Sequence, residues 1–270
     1  MVLFSSEIGK LNYMFLHKHP YQPFIQKDTT KLIVGTLPPP RFTTGNLLER
    51  DVDFCYGSYH NSLWKFIDHI HNLDLRYDNS QEAIDQRKDY LIQHKIGVCD
   101  IVDSAERNKI DASDIGMQNI KLRDVIGYLK QYPNIDTLLF TGGNSKNGPE
   151  YFFRKHIKDY SLKLKLVSNE TPRVHKFELM SNPTQCHSEC TRHSEHSETS
   201  QNKTKNNSKA HQSWHAAHNG KRTINTISLI SASGAANISI SRNPLYKQLK
   251  ASNPNFNTFD FRVMQYREFF

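Results

Sequence analysis

Short apolar runs bounded by turn residues recur along this chain, and they constrain its fold more than any other feature. They are 31–36 (KLIVGT), 96–102 (IGVCDIV), 136–141 (DTLLFT), 163–167 (KLKLV) and 224–231 (INTISLIS). Runs of this kind are typical of strands buried on both faces of a parallel sheet. Helical patterns lie between them, over 60–72, 81–94, 117–131 and 145–160. The alternation predicts an α/β fold with a mostly parallel sheet, whose ligands bind beyond the carboxyl ends of the strands.

The tract 181–222 interrupts this alternation and helps to explain why only 37% of the residues are hydrophobic. It is rich in Ser, Asn, Lys and His and has almost no branched aliphatic residues. Such a tract cannot bury enough apolar surface to offset its ordering entropy. Because the run 224–231 returns the chain to the sheet, we expect a long insertion within a single domain that covers residues 1–270.

Two hypotheses concern this insertion. Its first part has a spacing of thiol and imidazole groups that suits one zinc ion, and the alternative is a His-rich loop without metal. These residues are Cys186, Cys190, His193 and His196. Its second part is basic with one aromatic residue, and it could lie along DNA or cover a bulky base as a lid. These residues are Lys203, Lys205, Lys209, Trp214 and Lys221.

The charge balance is 35 Lys and Arg against 27 Asp and Glu, a net charge of +8, which is compatible with a polyanionic partner. No stretch approaches the ~20 apolar residues of a membrane span, and the first residues lack a basic region followed by an apolar run. Cys55 and Cys99 lie in apolar segments far apart in the sequence, which is not typical of a disulfide framework. We therefore expect a soluble protein of a reducing compartment without a membrane partner.

Loops rich in Pro, Gly and Ser follow three of the predicted strands. Residues 37–41 (LPPPR) are too stiff to continue a helix or a central strand. Residues 142–146 (GGNSK) are expected to open a helix at which backbone N–H groups favour an anion, and 231–237 (SASGAAN) let another backbone approach closely. At one sheet edge these loops suggest a clamp for a phosphate backbone, although each is also compatible with an ordinary turn.

Five segments, taken in chain order, carry a resemblance to a known family. They are 19–24 (HPYQPF), 32–38 (LIVGTLP), 56–64 (YGSYHNSLW), 97–102 (GVCDIV) with Arg107 beyond it, and 231–237 (SASGAAN). With them the chain resembles the uracil-DNA glycosylase superfamily, and most closely its hypoxanthine (deoxyinosine) DNA glycosylase branch. The resemblance implies a three-layer α/β/α sandwich around a central four-stranded parallel sheet. It also implies base flipping and cleavage of the N-glycosidic bond without a metal or redox cofactor.

The resemblance further implies which residue positions the attacking water. Many superfamily members have Asp or Asn in the first loop, where this chain has Leu37, which cannot polarise water. The hypoxanthine branch relies on an Asn in a downstream segment that corresponds here to Asn61. Asn61 is therefore the expected catalytic residue, acting by orientation rather than as a general base; alternatively it caps the helix that begins near Ser62. Asp51 and Asp53 are reserve candidates for a base, with a solvated loop as the alternative.

Base binding is expected at Leu37, Tyr56, Gly57 and Asp100. The resemblance assigns stacking of the flipped base to Tyr56, for which core packing is the alternative, and Gly57 would let the base approach the backbone. An ionised Asp100 only accepts hydrogen bonds, so it would favour hypoxanthine or a cytosine derivative over uracil. Alternatively, Asp100 caps the next turn or pairs with Arg107, and Asp103 is a rival for its role.

The third loop lacks the His with which many superfamily members stabilise the departing base, so its residues are assigned to phosphate contacts. The expected contacts to the DNA backbone are Pro38, Pro39, Arg41, Gly143, Asn144, Lys146, Ser231, Ser233, Gly234 and Arg242. Leu245 could fill the space that the flipped base leaves, or it could pack in a helix core.

Together these residues predict a monofunctional DNA glycosylase, monomeric and cytoplasmic at the nucleoid, that needs no cofactor. It would remove a hypoxanthine-type purine or a modified cytosine from DNA and leave an abasic site. Base-excision repair and defence against DNA with modified bases are both compatible settings. The alternatives are a DNA-binding module of the same fold without catalysis and an N-glycosidase of free nucleosides.

Overall fold

The structure, a computed structural model, describes residues 14–111, 113–180 and 220–270. The strands in those ranges are β1 (Phe15–Lys18), β2 (Lys31–Val34), β3 (Ile96–Val98), β4 (Val102–Arg107), β5 (Met117–Leu122), β6 (Thr137–Phe140), β7 (Lys165–Ser168), β8 (Arg173–Met180) and β9 (Lys221–Ser228). The α-helices there are α1 (Pro40–Thr44), α2 (Leu63–His71), α3 (Gln81–Gln93), α4 (Val125–Gln131), α5 (Pro149–His156), α6 (Asn237–Arg242), α7 (Pro244–Ser252) and α8 (Thr258–Tyr266). A short 3₁₀ turn, Asp114–Gly116, precedes β5.

The main sheet has six strands in the order β3-β2-β6-β9-β8-β7. The first four run parallel, whereas β8 is antiparallel to β9 and β7 is antiparallel to β8. The predicted α/β class is therefore confirmed, but the expected four-stranded parallel sheet is wrong. In β8 the buried residues His175, Phe177 and Leu179 alternate with exposed neighbours, which is the pattern of a half-solvated antiparallel strand.

Two predictions of individual elements are also wrong. The run 96–102 is not one strand, because the chain leaves the main sheet after β3, and β4 pairs instead with β1 and β5 in a separate antiparallel sheet of three strands. The segment 117–131 is not one helix, because its first part forms β5 and only Val125–Gln131 is helical. Periodicity in a short segment does not separate these cases, since pairing with neighbouring strands decides them.

Alternate residues of β2 face two different hydrophobic clusters, which places helices on both sides of the main sheet. Ile33 packs in a cluster with residues of α2, α3 and α8. Leu32 and Val34 pack in the other cluster with residues of α4 and α5. In α2 the buried indole of Trp64 donates its N–H to the carbonyl oxygen of Cys55 over 2.9 Å. This contact attaches the segment before α2 to the core.

The insertion connects two strands that pair with each other. Met180 at the end of β8 faces Lys221 at the start of β9, at the sheet edge opposite the carboxyl ends of the parallel strands. Lys221 and Arg222, which the sequence assigned to the insertion, therefore belong to β9. The remaining residues of the zinc and lid hypotheses lie outside the described residues, namely Cys186, Cys190, His193, His196, Lys203, Lys205, Lys209 and Trp214.

Cys55 and Cys99, the cysteines in the described part of the chain, are buried free thiols. Burial raises the pKa of the Cys99 thiol to about 12, so this thiol stays protonated at neutral pH. Across the same residues, no helix combines the length and the apolar character that crossing a membrane requires.

Candidate active site

A cleft of about 950 Å³ opens at the carboxyl ends of β2, β6 and β9. Its wall consists of the loops that follow these strands, the segments 56–61 and 113–115, and part of the connection between β7 and β8. Ligands of open α/β sheets bind at this edge. The cleft brings together twelve of the site residues predicted from sequence, namely Leu37, Pro38, Pro39, Tyr56, Gly57, Asn61, Asp100, Gly143, Lys146, Ser231, Ser233 and Gly234.

Tyr56 and Asp100 are joined in a polar cluster beside the cleft. The Tyr56 hydroxyl donates to Asp100 Oδ1 over 2.6 Å, and the backbone N–H of Gly35 donates to the same oxygen over 2.8 Å. Burial raises the pKa of Tyr56 well above its usual range, and the nearby Asp100 adds to this shift, so the phenol stays a donor. Tyr56 also has φ of 60°, a left-handed conformation that is uncommon outside glycine, and the chain turns here toward the cleft wall.

His19 supplies the partner of the other Asp100 oxygen, with 2.9 Å between Nε2 and Oδ2. The backbone N–H of Tyr21 donates to His19 Nδ1 over 3.1 Å, so a neutral ring carries its proton on Nε2 and donates it to Asp100. Asp100 thus accepts three hydrogen bonds from the protein, out of about four that a carboxylate can accept. The alternative pairing of Asp100 with Arg107 is wrong, because Arg107 Nε donates to His17 Nδ1 over 2.8 Å.

Replacing Gly35 with alanine is expected to destabilise the protein by about 2 kcal/mol, as overpacking of a filled site does. A Cβ at position 35 would lie 2.3 Å from the Tyr56 hydroxyl oxygen and 2.7 Å from Asp100 Oδ1, so the polar cluster would have to separate. Gly234→Ala is the matched control, because a Cβ at that cleft residue meets nothing within 4 Å. Urea unfolding measures both variants, and equal stabilities would contradict this packing.

Gly57 has a structural role that the sequence did not indicate. A Cβ at this position would lie 1.9 Å from the carbonyl oxygen of Val52, so the loop closes only with glycine here. The Gly57 carbonyl accepts from the Val52 N–H over 2.8 Å, and the Gly57 N–H donates to the Phe54 carbonyl over 2.9 Å. The close approach of the chain to itself therefore accounts for this glycine without a bound base.

Asn61 lines the same cleft as Tyr56, and its backbone forms a β-bridge with Ser233 of the loop after β9. Asn61 Oδ1 accepts from the backbone N–H of Leu63, the first residue of α2, over 2.9 Å, whereas the N-cap position is Ser62, so Asn61 makes a local turn contact rather than the expected cap. This contact fixes the side-chain amide. Within the described residues Nδ2 makes no hydrogen bond, so Nδ2 and the second lone pair of Oδ1 are left for water or a ligand.

The loop after β9 is held in place from α8. The buried Arg262 donates through Nη1 to the carbonyl oxygens of Ser231 and Ser233, over 3.2 and 3.1 Å. The Tyr266 hydroxyl donates to the Ile230 carbonyl over 2.7 Å. Ser231 Oγ lies 3.1 Å from Ser233 Oγ, which leaves one hydroxyl proton of this pair for an outside acceptor. The sequence carries no signal for the part of Arg262 in this arrangement.

The loop after β6 is longer than predicted, because α5 begins at Pro149 and not at Ser145. Gly143 and Lys146 lie in the cleft wall, whereas Asn144 is exposed and does not line the cleft. The N-terminus of α5 therefore lies several residues beyond the glycine pair. The predicted anion site, in which the glycine loop leads directly into the helix, is not present at that junction.

Arg173, at the start of β8, is a cleft residue that the sequence analysis missed. Its Nη2 lies 3.4 Å from Oε2 of Glu150, a fully buried carboxylate of α5. Glu150 also accepts from Ser228 Oγ over 2.7 Å and from Arg154 Nε over 2.8 Å. Within the described residues, the cleft wall contains one lysine, Lys146, and one arginine, Arg173. No local pattern marks Arg173, because the pairing of β8 with β9 brings it to the cleft.

Asp114 is a second missed residue of the cleft. Its Oδ1 accepts from Thr36 Oγ1 over 3.0 Å, beside Leu37, and its backbone carbonyl accepts from Asn147 Nδ2 over 2.8 Å. Burial raises the pKa of Asp114 to about 6, partly offset by the Thr36 hydrogen bond and by Arg107. Asp100, Asp114 and Glu170 are the carboxylates of the wall. Among the described residues, no group of three or more His, Cys, Asp or Glu is arranged to hold a metal ion.

Arg41 does not lie in the cleft wall, so its predicted contact with DNA stays a prediction for the surface outside the cleft. Its Nε and Nη2 donate to the two carboxylate oxygens of Asp51 over 2.6 and 2.9 Å, and Nη2 also donates to Ser58 Oγ over 2.8 Å. Asp51 is fully buried; burial opposes its ionisation, but Arg41 and two backbone N–H groups hold its pKa below the usual range. Asp53 accepts from the Tyr21 hydroxyl over 2.7 Å. Neither reserve base lines the cleft.

Three further residues from the sequence analysis lie outside the cleft wall. Arg242 ends α6 and is exposed. The side chain of Asp103 is 42% exposed and lies 3.7 Å from Arg123. Leu245 is 45% exposed in the first turn of α7, so the interpretation of Leu245 as a helix-core residue is wrong.

Comparisons of this chain with protein-family models, with curated proteins and with solved structures found no match. The resemblance to the uracil-DNA glycosylase superfamily therefore rests on the five sequence segments.

Proposed function

We propose that this chain is a hydrolase of N-glycosidic bonds that receives an extruded nucleotide in the cleft. More particularly, we propose a monofunctional DNA glycosylase for a hypoxanthine-type purine or a modified cytosine, which leaves an abasic site. The observation that carries this proposal is that Tyr56 and Asn61, from a segment before and at the start of α2, line one cleft together with loops after β2, β6 and β9. A cleft of about 950 Å³ has room for a nucleotide, since ligand sites span about 300–1,000 Å³.

The architecture supports the same proposal. Helices on both sides of a mostly parallel sheet are compatible with the α/β/α layers that the resemblance implies, although the sheet has six strands and not four. The antiparallel strands β8 and β7 extend this sheet at one edge, and β8 contributes Arg173 to the cleft. As part of the proposal we assign this activity to the cytoplasm, at the nucleoid, either in base-excision repair or in defence against DNA with modified bases.

The cleft offers groups for the charges that develop when the bond breaks. Departure of the base leaves positive charge on the sugar and negative charge on the base. Lys146 and Arg173 supply cationic groups for phosphate oxygens or for the leaving base, and Asn61 orients water toward the sugar. The ring of Tyr56 gives the flipped base a surface to stack on, because its hydroxyl is held by Asp100 and its position is thereby fixed.

The remaining acceptor position of Asp100 bears on which base is taken. Three of its hydrogen bonds are made within the protein, and a carboxylate accepts about four. A base that presents a donor, such as the N1–H of hypoxanthine or the amino group of a cytosine derivative, suits that position better than the O4 of uracil. Selection against uracil therefore remains part of the proposal.

The test is a panel of DNA duplexes with one uracil, hypoxanthine, xanthine, cytosine or bulky cytosine derivative each, scored for abasic sites. We expect release of a hypoxanthine-type or modified cytosine base, and Asn61→Ala should lower its rate by about 100-fold or more through loss of water orientation. Asn61→Ser keeps an acceptor for the Leu63 N–H and should keep stability while losing rate. Asn134→Ala, on an exposed loop far along the chain, should match wild type.

The panel also separates the alternative functions. A catalytically inactive DNA-binding module would bind these duplexes and release no base, and the occupied Oδ1 of Asn61 is the observation that favours it. An N-glycosidase of nucleosides would act without DNA and would respond little to salt, whereas binding through phosphate contacts weakens steeply as salt rises. Absence of base release from every duplex would reject the proposed function.

A further inference from the structure

Of the three carboxylates that line the described wall of the cleft, the proposed function gives a role to Asp100 alone. Hydrolysis needs a group that accepts a proton from the attacking water, and the apolar side chain of Leu37 cannot do so. Asn61 can orient water but is not a base, and its Oδ1 already accepts from the Leu63 N–H. The candidates for the base are therefore the carboxylates of the wall, namely Asp100, Asp114 and Glu170.

Asp100 is largely committed to the protein. Its Oδ1 accepts from the Gly35 N–H and the Tyr56 hydroxyl, and its Oδ2 faces His19 Nε2. Both carboxylate oxygens are thus occupied by groups of the protein, and at most one acceptor position is left for an attacking water. Glu170 lies exposed in the connection between β7 and β8, where solvent surrounds it.

Asp114 differs from both of these residues. Its Oδ1 accepts one hydrogen bond, from Thr36 Oγ1 over 3.0 Å, and Oδ2 makes none within the part of the chain that the structure describes. Its backbone is held by Asn147, whose Nδ2 donates to the Asp114 carbonyl over 2.8 Å. The carboxyl group is thus fixed beside the loop 36–39 with one oxygen uncommitted, on the wall that also contains Tyr56 and Asn61.

We propose that Asp114 is the general base of this cleft, with Asn61 as the residue that orients the same water. This inference rests on the proposed function. In the step, the water oxygen forms a bond to C1′ of the flipped nucleotide while the bond from C1′ to the base nitrogen breaks. The electron pair of that bond leaves with the base, which takes a proton from solvent. One water proton moves to Asp114 and from there to solvent.

The electrostatic setting of Asp114 suits this step. Burial raises the pKa of Asp114 to about 6, so the group is mostly ionised at neutral pH yet basic enough to accept a proton. The charged groups that face it are Arg107 of β4, which lowers the pKa, and Asp100, which raises it. The hydrogen bond from Thr36 also lowers the pKa, so its removal has a defined direction.

The experiment measures single-turnover base release between pH 4.5 and 8 from duplexes that contain one hypoxanthine or one modified cytosine. Asp114→Asn should lower the rate at neutral pH by about 10²–10⁴-fold, the usual contribution of a general base. The wild-type rate should fall tenfold per pH unit below about 6, and this inflection should be absent in the variant. Asp111→Asn, three residues away with a side chain 49% exposed, is the matched control and should retain both rate and inflection.

A second variant decides the matter if Asp114→Asn does not fold. Thr36→Val removes the hydroxyl that donates to Asp114, so the inflection should move to higher pH while the chain keeps the carboxylate. An Asp114→Asn rate within threefold of wild type, or a Thr36→Val inflection that does not move, overturns the assignment of Asp114 alone. Wild-type protein that releases no base from any duplex overturns the proposed function, and this inference with it.

Discussion

Asp100→Ala should lower the free energy of unfolding by about 3 to 5 kcal/mol, the largest stability effect that we expect at this cleft. The carboxylate is 5% exposed and accepts from the Gly35 N–H, the Tyr56 hydroxyl and His19 Nε2. Its removal leaves these donors without partners in a buried place, and each such group costs about 1–3 kcal/mol. Urea unfolding at neutral pH measures the change.

Two companion variants define what this result means. Asp103→Ala removes a carboxylate three residues away that is 42% exposed, and it should cost less than about 1 kcal/mol. Asp100→Asn keeps the shape of the side chain and one acceptor oxygen, but it turns an N–H toward His19 Nε2, which already carries a proton. We therefore expect the free energy of unfolding to fall by an intermediate amount, about 1 to 2 kcal/mol. If Asp100→Ala were no less stable than Asp103→Ala, the polar cluster at Tyr56 would not exist as described.

Asp114→Asn should become more stable than wild type as the pH rises, by up to about 3 kcal/mol at pH 7. Burial raises the pKa of Asp114 to about 6, from 3.8 for an exposed carboxyl. Between these values the folded protein holds a proton that the unfolded chain has lost. The stability that Asp114 contributes is therefore fully present below about pH 3.8 and is lost as the pH rises through about 6. The asparagine does not titrate and avoids this loss.

The measurement is the difference in unfolding free energy between the variant and wild type at pH 4 and at pH 7.5. Other groups cancel in this difference; for example, burial lowers the pKa of His17 to about 4, which weakens both proteins in acid. Asp111→Asn, at a carboxylate that is 49% exposed, is the control and should change the unfolding free energy by less than about 1 kcal/mol at pH 7.5. A difference for Asp114→Asn that is the same at pH 4 and at pH 7.5 would show that this carboxyl is not desolvated in the folded protein.

The sequence predicts much of the fold because its signals are local. Lys31–Val34 and Thr137–Phe140 are short, continuous apolar runs, a pattern typical of central strands, and both are strands of the main sheet. The strand β8 was not predicted, although His175, Phe177 and Leu179 alternate with polar residues in the pattern of a half-buried strand. Met117–Leu122 has no comparable signal, since its pairing with β4 and not its own pattern makes it a strand.

The residues of the cleft also differ in whether the sequence could predict them. Tyr56 and Asn61 belong to one short motif, so the sequence can place both at the cleft. Arg173 and Asp114 carry no motif; one reaches the cleft through the pairing of β8 with β9, and the other through its hydrogen bond to Thr36. The contact of Arg41 with Asp51 is likewise tertiary, and a surface charge in the sequence becomes an internal ion pair in the structure. These contacts depend on how the chain folds back on itself, and helix and strand periodicities do not encode them.

The paired ends of β8 and β9 also have a practical consequence. Met180 faces Lys221 across an antiparallel ladder, so their Cα atoms are about 5 Å apart. This pair is about 23 Å along the strands from Arg173 and Ser228 at the cleft. A two-residue turn can bridge such a pair without altering the register of either strand. A short turn that carries a fluorophore tether can therefore join Met180 to Lys221 in a variant without residues 181–220, and base release by that variant tests whether this tract covers the base.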